Sequence, residues 1–153
     1  MKNKFMSEAI KEAYVGIKNL HGGPFGSVIV KDGKIVGRGH NCVLKNNDPT
    51  AHGEVMAIRD ACKNLGTYNL DGCEIYTTAE PCPMCMGAIL WANIKKCYFG
   101  CDRVDTENIG FRDNAFYDVL AGKLDTYKAE QIDIEECLEL FNDYKNLEDK
   151  EIY

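Results

Sequence analysis

The segment EPCPMC, from Glu80 to Cys85, carries two thiols three residues apart, with one proline before the first thiol and another between them. Two chemistries fit this spacing, a redox-active disulfide and a metal site. We expect Cys82 to cap a helix with Pro83 at its first position, which places both sulfurs on one side of the first turn. The positive end of the helix dipole favours thiolates there, and the thiolate is the form that binds zinc.

Three histidines, His21, His40 and His52, are available as further ligands. His52 lies in DPTAHGEV, where Asp48 as a cap and Pro49 at the first position predict a second helix with His52 in its first turn. Helices that follow parallel strands begin at the same edge of a sheet, so His52 is expected to meet Cys82 and Cys85. Taken alone, His52 would be interpreted as an ordinary partly buried histidine. The combination of H-x-E with P-C-x-x-C matches instead the pattern of zinc deaminases of nucleobases.

The number of ligands separates a catalytic zinc from a structural one. Three protein ligands leave the fourth tetrahedral position to water, whereas a structural zinc closes with a fourth cysteine or histidine. No residue stands at a spacing that obviously supplies a fourth ligand. Zinc lowers the pKa of bound water towards about 7, and Glu54, two residues after His52, is the candidate general acid and base for its proton. Glu54 is also a first-turn residue that the helix dipole favours, and the two interpretations are compatible.

Composition bounds the class of protein. The 153 residues are near the usual size of one domain, so we predict a single domain over 1–153. The net charge of −6 argues against a nucleic-acid partner, since such binding depends on basic patches. The start MKNKFMSEAI lacks the apolar region of a signal peptide, and no apolar run is long enough to span a bilayer. We therefore expect a cytoplasmic protein with a small-molecule substrate and no membrane partner.

The other cysteines are scattered in or beside apolar segments, where a free thiol usually behaves as a small hydrophobic side chain. They are Cys42, Cys62, Cys73, Cys97, Cys101 and Cys137. A chain of this length and apolar content does not need a disulfide scaffold, so we expect reduced thiols.

Periodicity predicts the elements that position these residues. A helix is expected from Phe5 to Leu20, and FGSVIV and KIVGRG are expected to form a hairpin around Asp32-Gly33. The second helix should end near Leu65. CEIYTT and KKCYFG are interpreted as parallel strands joined by the crossover helix PMCMGAILWA.

The C-terminal third is predicted to contain two helices and one strand. A helix is expected near 106–120, TYKAEQ is a candidate last strand, and Asp133 with Glu136 forms a D-x-x-E capping box before a terminal helix. Together these elements predict an α/β protein, a three-layer α/β/α sandwich around a mixed sheet of about five strands.

The chain resembles the cytidine deaminase-like superfamily, and within it the bacterial zinc-dependent guanine deaminases. The matching segments are GGPFGSVIV, GHNCV, NDPTAHGEV, EPCPMCMGAILWA and GFRDNAFY. The resemblance implies zinc-dependent hydrolytic deamination of a free purine base, with guanine converted to xanthine and ammonia. One zinc ion per subunit would be held by His52, Cys82 and Cys85, and the resemblance also implies a homodimer.

Other activities remain open. Deaminases of tRNA adenosine and of cytosine use the same zinc centre, although the predominantly acidic tail IEECLELFNDYKNLEDKEIY is not what an anticodon-binding enzyme needs. A non-catalytic, zinc-stabilised binding module is a third class, and it would require four protein ligands and no Glu54.

The resemblance also assigns a purine pocket. Phe25 would stack on the base, the Asn41 amide would bind the ring edge, and Trp91 would form a wall. Asp113 would contact the amino side of guanine and assist proton transfer, and Tyr153 would end a tail that closes the site. As alternatives, Phe25 and Trp91 are core residues and Asp113 is a solvated loop carboxylate.

Gly53 departs from the family, which usually has alanine between the histidine and the glutamate. Glycine costs about 0.8–1.0 kcal/mol relative to alanine inside a helix, and less near an end. The backbone N–H that should contact the base remains, while the missing methyl group predicts a slightly roomier pocket.

Overall fold

The computed structural model describes residues 2–153. Helices and strands alternate through the first two thirds of this range, and helices alone follow. In chain order the elements are α1 (Lys4–Lys18), β1 (Gly26–Lys31), β2 (Lys34–His40), α2 (Val43–Asn46), α3 (Gly53–Leu65), β3 (Cys73–Ala79), α4 (Pro83–Trp91), β4 (Lys96–Cys101), α5 (Arg103–Asn108), α6 (Asp113–Leu120) and α7 (Ile134–Asn146).

The sheet is mixed and has the strand order β2-β1-β3-β4. β1 is antiparallel to both β2 and β3, while β3 and β4 are parallel and α4 connects them. Asp32 and Gly33 both have positive φ angles, 49° and 73°, as a tight hairpin turn requires. The predicted hairpin and the predicted parallel crossover are therefore confirmed.

Alternate side chains of the strands enter two separate cores, which gives the sheet a helical layer on each face. Ile29 and Ile75 pack in one cluster with side chains of α3 and α4. Val28, Val30 and Tyr76 pack in the other with Ala9 of α1. This alternation is the two-residue period of a strand that is buried on both faces. The predicted three layers are present.

The sheet has four strands within the described residues, not about five. The segment TYKAEQ (126–131) forms no strand, and all of its residues are exposed. Its one large apolar side chain is Tyr127, which is 77% exposed. The segment therefore has almost no apolar surface to bury, and burial is what stabilises a strand against its neighbours.

One predicted helix start and one predicted capping box are wrong. The Asp48 carboxylate accepts hydrogen bonds from the backbone N–H and the hydroxyl of Thr50, at 2.8 and 2.7 Å, and so closes a local turn instead of capping a helix. α3 begins four residues beyond Pro49, with His52 as its N-cap. Asp133 also caps nothing with its side chain, because its backbone is left-handed (φ 50°) whereas a capping residue is extended.

The helix predicted near 106–120 is two helices, α5 and α6. Gly110, with φ of 100°, lies in the break between them. α5 begins with a capping box: the Asp102 carboxylate accepts the backbone N–H of Asp105, and the Asp105 carboxylate accepts the backbone N–H of Asp102. The terminal helix α7 is confirmed, but every residue from 120 to 153 is exposed. None of the helices in residues 2–153 combines the length and the apolar character needed to cross a membrane.

Candidate active site

Two helix N-termini bring one imidazole and two sulfurs together. His52 is the N-cap of α3, Cys82 is the N-cap of α4, and Pro83 occupies the first position of α4 as predicted. The His52 Nδ1 atom lies 3.6 Å from Cys82 Sγ and 3.5 Å from Cys85 Sγ. The two cysteines are free thiols, so no disulfide joins them.

The spacing of these three atoms fits a tetrahedral zinc ion. Bonds of about 2.3 Å to sulfur and about 2.0–2.1 Å to nitrogen give a nitrogen–sulfur edge of about 3.6 Å in a regular tetrahedron. Both nitrogen–sulfur distances agree with this edge. Imidazole and thiolate are also ligands that suit zinc. The residues present therefore fit the ion that the sequence pattern implies.

Hydrogen bonding prepares the cluster for a cation. The thiol of Cys85 and the ring of His52 donate to Cys82, which lowers the pKa of Cys82 to about 4 despite its burial. The hydrogen bond that the Cys85 thiol donates to Cys82 raises the pKa of Cys85, and burial raises it further. The bond to Cys82 raises the pKa of His52. Cys82 is thus held as a thiolate at neutral pH, and a dication bound here would stabilise a second thiolate in the same way.

Glu54 lies directly beside the cluster, in the first turn of α3. Its side chain is only 5% exposed, and the Cys85 thiol is 3.4 Å from its Oε2 atom. Burial raises the pKa of this carboxyl group. A carboxyl group that takes up a proton readily is suited to proton transfer between a water molecule and a ligand.

The cluster opens into a cavity of about 540 Å³, a common size for a small-molecule site. Six of the residues singled out in the sequence line it, namely Phe25, Asn41, His52, Glu54, Cys82 and Asp113. The rings of Phe25 and Phe111 pack edge to face, with their centroids 4.8 Å apart. Phe25 therefore belongs to the wall of the cavity and not to either core of the sheet.

Asn41 presents its amide group as a donor. Its Oδ1 atom accepts the backbone N–H of Val43 at 3.1 Å, and its own backbone N–H donates to the carbonyl of Phe25 at 2.8 Å. The carbonyl side of the amide is therefore occupied, and the two N–H groups of Nδ2 remain for a ligand in the cavity.

Asp113 begins α6 at the mouth of the cavity. Burial, and next the negative charge of Cys82, raise the pKa of its carboxyl group. Its environment is thus not that of a freely solvated loop carboxylate.

Trp91 and Tyr153 lie outside this cavity. Trp91 is 68% exposed at the end of α4, and its ring lies 5.9 Å from that of Tyr153. Both line a second, smaller hollow with Gly87, Leu90 and Asn93. Within one chain, these two aromatic residues meet each other and do not line the cavity beside the cluster.

Gly53 has no side chain to turn towards a ligand. A Cβ atom at this position would lie 3.0 Å from the carbonyl oxygen of Phe25 and 3.4 Å from Ser27 Oγ. The methyl group that alanine would add thus points at β1 and at the residue before it. The absence of this group therefore affects the packing between α3 and β1.

Sequence reasoning missed three side chains of the cavity wall, Phe111, Arg112 and Phe116. They flank Asp113 in GFRDNAF, a segment in which the sequence pattern points only to the carboxylate. The guanidinium group of Arg112 lies 5.3 Å from the centre of the Phe116 ring. The signal available in the sequence was this adjacency to Asp113.

Comparison with known proteins agrees with this geometry. The family model for the cytidine and deoxycytidylate deaminase zinc-binding region matches residues 1–101. The chain belongs to this zinc-dependent deaminase family. All three members of the cluster and Glu54 lie in the matched region.

Individual members of the family differ in how much of the chain they match. The guanine deaminase of Bacillus subtilis is 44% identical over 151 residues, which cover 97% of each chain. Its crystal structure covers 100% of this chain and 99% of its own, with a TM-score of 0.91 and 42% identity. A tRNA-specific adenosine deaminase of Buchnera aphidicola is 35% identical, over 92% of this chain and 91% of its own. The similarity is therefore greater to the deaminase of the free base.

Proposed function

We propose that the chain is a guanine deaminase, a single domain over 1–153 that hydrolyses guanine to xanthine and ammonia with one zinc ion per subunit. The observation that carries the proposal is the cluster of His52, Cys82 and Cys85 beside buried Glu54, at the end of a small-molecule cavity. The choice of guanine is supported by the full-length similarity to the Bacillus subtilis enzyme.

The cavity offers guanine a stacking surface and hydrogen-bond donors. Phe25 would stack on the purine ring, and a purine presents a flat π surface to an aromatic side chain. The free N–H groups of Asn41 would donate to the guanine edge, where O6 and N7 are acceptors. Asp113 would accept a hydrogen bond from the exocyclic amino group and assist proton transfer.

When bound, the zinc ion lowers the pKa of a water molecule towards about 7 and so supplies hydroxide at neutral pH. Glu54 would accept one proton of that water and deliver it to a ring nitrogen of the base, and would then carry the remaining proton of the added hydroxyl group to the leaving amine. Its raised pKa, caused by burial, supports this double role, since the carboxyl group must bind the proton and release it again. The walls formed by Phe25 and Phe111 would limit the access of bulk water.

A homodimer is also part of the proposal. The apolar residues of α7 recur every three or four positions, yet Ile134, Leu138, Phe141 and Tyr144 are all 41–69% exposed. A helix of 13 residues depends on the burial of such a stripe for its stability. On the edge strand β4, Tyr98 and Phe99 are also 44% and 47% exposed. A second copy of the chain would cover these surfaces.

Trp91 and Tyr153 keep their proposed roles only in such an assembly. Both keep most of their surface exposed in one chain, so they are available to a neighbouring subunit, and there Tyr153 would help to close a site. The proposed compartment is the cytoplasm, because the eight cysteines are all unpaired and reduced thiols are usual there.

The decisive test is a panel of substrates with ammonia release as the readout. Zinc-loaded protein would be given guanine, adenine, cytosine and a tRNA anticodon stem-loop. We expect guanine to be preferred by at least about a hundredfold in kcat/KM, because a site with positioned polar groups rejects bases that cannot pair with them. Turnover of the stem-loop or of cytosine without turnover of guanine would overturn the choice of substrate.

Glu54→Gln tests whether the zinc is catalytic. This change keeps the shape of the side chain but removes the proton acceptor, so we expect kcat to fall by about 10²–10⁴ while bound zinc stays at one ion per chain. Glu107→Gln, an exposed change on α5, is the control. Unchanged kcat together with normal zinc content would contradict the proposal and favour a non-catalytic zinc module.

A further inference from the structure

A second cluster of side chains that could bind a metal flanks Asn41 of the cavity wall. His21 follows α1, His40 ends β2, and Cys42 immediately precedes α2. One nitrogen of each histidine and the sulfur of Cys42 all lie within 4.8 Å of one another. Cys42 is buried and the two histidines are half-buried. We propose that His21, His40 and Cys42 form a second Zn²⁺ site, distinct from the cluster beside Glu54.

The orientation of His40 is already the one that a metal ligand requires. Its Nδ1 atom lies 3.2 Å from Glu12 Oε2, so the carboxylate holds the proton on Nδ1 and leaves Nε2 with a lone pair. A carboxylate behind a ligating imidazole is the usual second layer of a protein zinc site. Gly16 allows this placement, because a Cβ atom there would lie 2.9 Å from the His40 ring.

The atoms that would bind the ion are near their final positions. His40 Nε2 lies 2.8 Å from His21 Nδ1, joined by a hydrogen bond. Two zinc-bound nitrogens with bonds of about 2.0–2.1 Å are about 3.3 Å apart, so the rings need to separate by only about half an ångström. The ion would replace the thiol proton of Cys42, which is released to solvent, and the proton between the rings, which moves to Nε2 of His21 because a neutral imidazole keeps one N–H.

Donor chemistry sets the order in which the two sites fill. Two imidazoles and one thiolate suit Zn²⁺, but the cluster beside Glu54 has two thiolates. Its nitrogen–sulfur distances also need no adjustment. The second site is therefore the weaker one and fills after the first.

Occupancy of the second site would stiffen a wall of the cavity. Asn41 lies between His40 and Cys42, and the backbone N–H groups of Leu44 and Lys45 donate to the His21 carbonyl at 3.0 and 3.1 Å. An ion held by all three ligands would cross-link the loop after α1 to the end of β2 and the start of α2. Asn41 would then be fixed between two ligands.

The three histidines of the chain make the test direct, because untagged protein gives only three imidazole spin systems. Metal-free, histidine-labelled protein would be titrated with Zn²⁺ and followed by long-range ¹H–¹⁵N correlation spectra. We expect the first equivalent to shift one imidazole, His52, and the second to shift His21 and His40. If no equivalent of Zn²⁺ shifted His52, the result would contradict the proposed catalytic zinc and not the second site. A second equivalent that shifts neither His21 nor His40 would overturn the second site.

A variant tests the thiolate. Cys42→Ser should abolish the second binding event and retain the first, whereas Cys62→Ser, which removes a half-buried thiol outside both clusters, should retain both. Mass spectrometry of metal content after desalting should give two zinc ions per chain for the control and one for Cys42→Ser. Equal zinc content in the two variants would overturn the ligand set, and the spectra of the unaltered chain report on the site even if a variant fails to fold.

Discussion

Tyr117 and Arg103 hold the backbone next to the cysteines of the candidate zinc site. The Tyr117 hydroxyl donates to the buried carbonyl of Pro81, the residue before Cys82. The Arg103 guanidinium group lies 4.5 Å from the centre of the Tyr117 ring, and its Nε atom lies 3.4 Å from a Glu80 oxygen. Side chains of α5 and α6 therefore fix the turn that aims Cys82.

Tyr117→Phe is expected to lower the free energy of unfolding by about 1–3 kcal/mol, because the carbonyl of Pro81 loses its partner while the stacking on Arg103 remains. Chemical denaturation measures this difference. Zinc affinity, measured by competition with a chelator, should fall as well because the turn before Cys82 loosens.

Tyr127→Phe is the matched control, since that hydroxyl is on a side chain that is 77% exposed. Its effect should stay within about 0.5 kcal/mol. Equal losses in the two variants would contradict a specific role for the contact with Pro81.

At this scale, the sequence is informative where the chemistry is local. Cys82 and Cys85 share one helix turn, and Glu54 stands two residues from His52, so spacing alone predicts which groups meet. For Phe111 and Phe116 the sequence offers only their adjacency to Asp113, because an aromatic residue in a short helix-rich segment is equally suited to a core. Their place in the cavity wall depends on how α6 packs, and the spacing of residues in the sequence does not predict that packing.

The contact of α3 with β2 depends on two glycines. A Cβ atom on Gly39 would lie 2.4 Å from the backbone nitrogen of Ala57, and one on Gly37 would lie 2.5 Å from the Ala57 carbonyl oxygen. Backbone atoms of the helix thus rest directly on the strand. Because α3 has His52 and Glu54 at its start, this close contact also sets the distance of the candidate active site from the sheet.

Gly39→Ala should lower the free energy of unfolding by about 1–3 kcal/mol, since the added methyl group meets backbone that cannot rotate away. The same change at Gly87, in the middle of α4 with open space around it, should raise stability by about 0.5–1 kcal/mol through helix propensity. Thermal and denaturant unfolding of both variants measure the difference. Changes of opposite sign in the free energy of unfolding would support the close contact of α3 with β2. A Gly39→Ala variant with unchanged stability would contradict it.

Element prediction succeeds where periodicity and turn chemistry agree and fails where a side chain makes a local bond. Asp32-Gly33 and the apolar runs beside it specify one hairpin. Asp48 instead bonds to Thr50, a competition that the D-P pair does not reveal. The segment 126–131 has strand-like residue types but little apolar surface, and an isolated six-residue pattern cannot show whether a neighbour is present to pair with it.

Zinc at the cluster beside Glu54 would join α3 to α4, so its removal should weaken the whole fold. In Cys42→Ser protein, where only this cluster remains, a chelator should lower the free energy of unfolding by about 2.7 kcal/mol if free zinc had been a hundredfold above its Kd. Thermal unfolding with and without the chelator measures the effect. The double variant Cys42→Ser and Cys85→Ser should not respond to the chelator, and an equal response would contradict the ligand assignment.

The exposed stripe of α7 predicts the state of assembly. Leu138→Glu combined with Phe141→Glu should convert a dimer to a monomer, since charges would have to be buried against the second copy. Sedimentation equilibrium gives the mass. The double change Glu135→Gln and Glu139→Gln on the same helix is the control and should leave the dimer intact. An unaltered chain that sediments as a monomer would contradict the homodimer.

The residues around the cavity divide along the chain into two groups. His52, Glu54, Cys82 and Cys85 precede residue 101, where the match to the family model ends, while Phe111 to Phe116 come after it. The proposed reactive groups thus lie on the first stretch, together with Phe25 and Asn41 of the proposed base pocket, while part of the cavity wall lies on the second. Recombination near the end of β4 would exchange the second without disturbing the first, which offers a physical route by which a single ancestral centre diversified towards different bases.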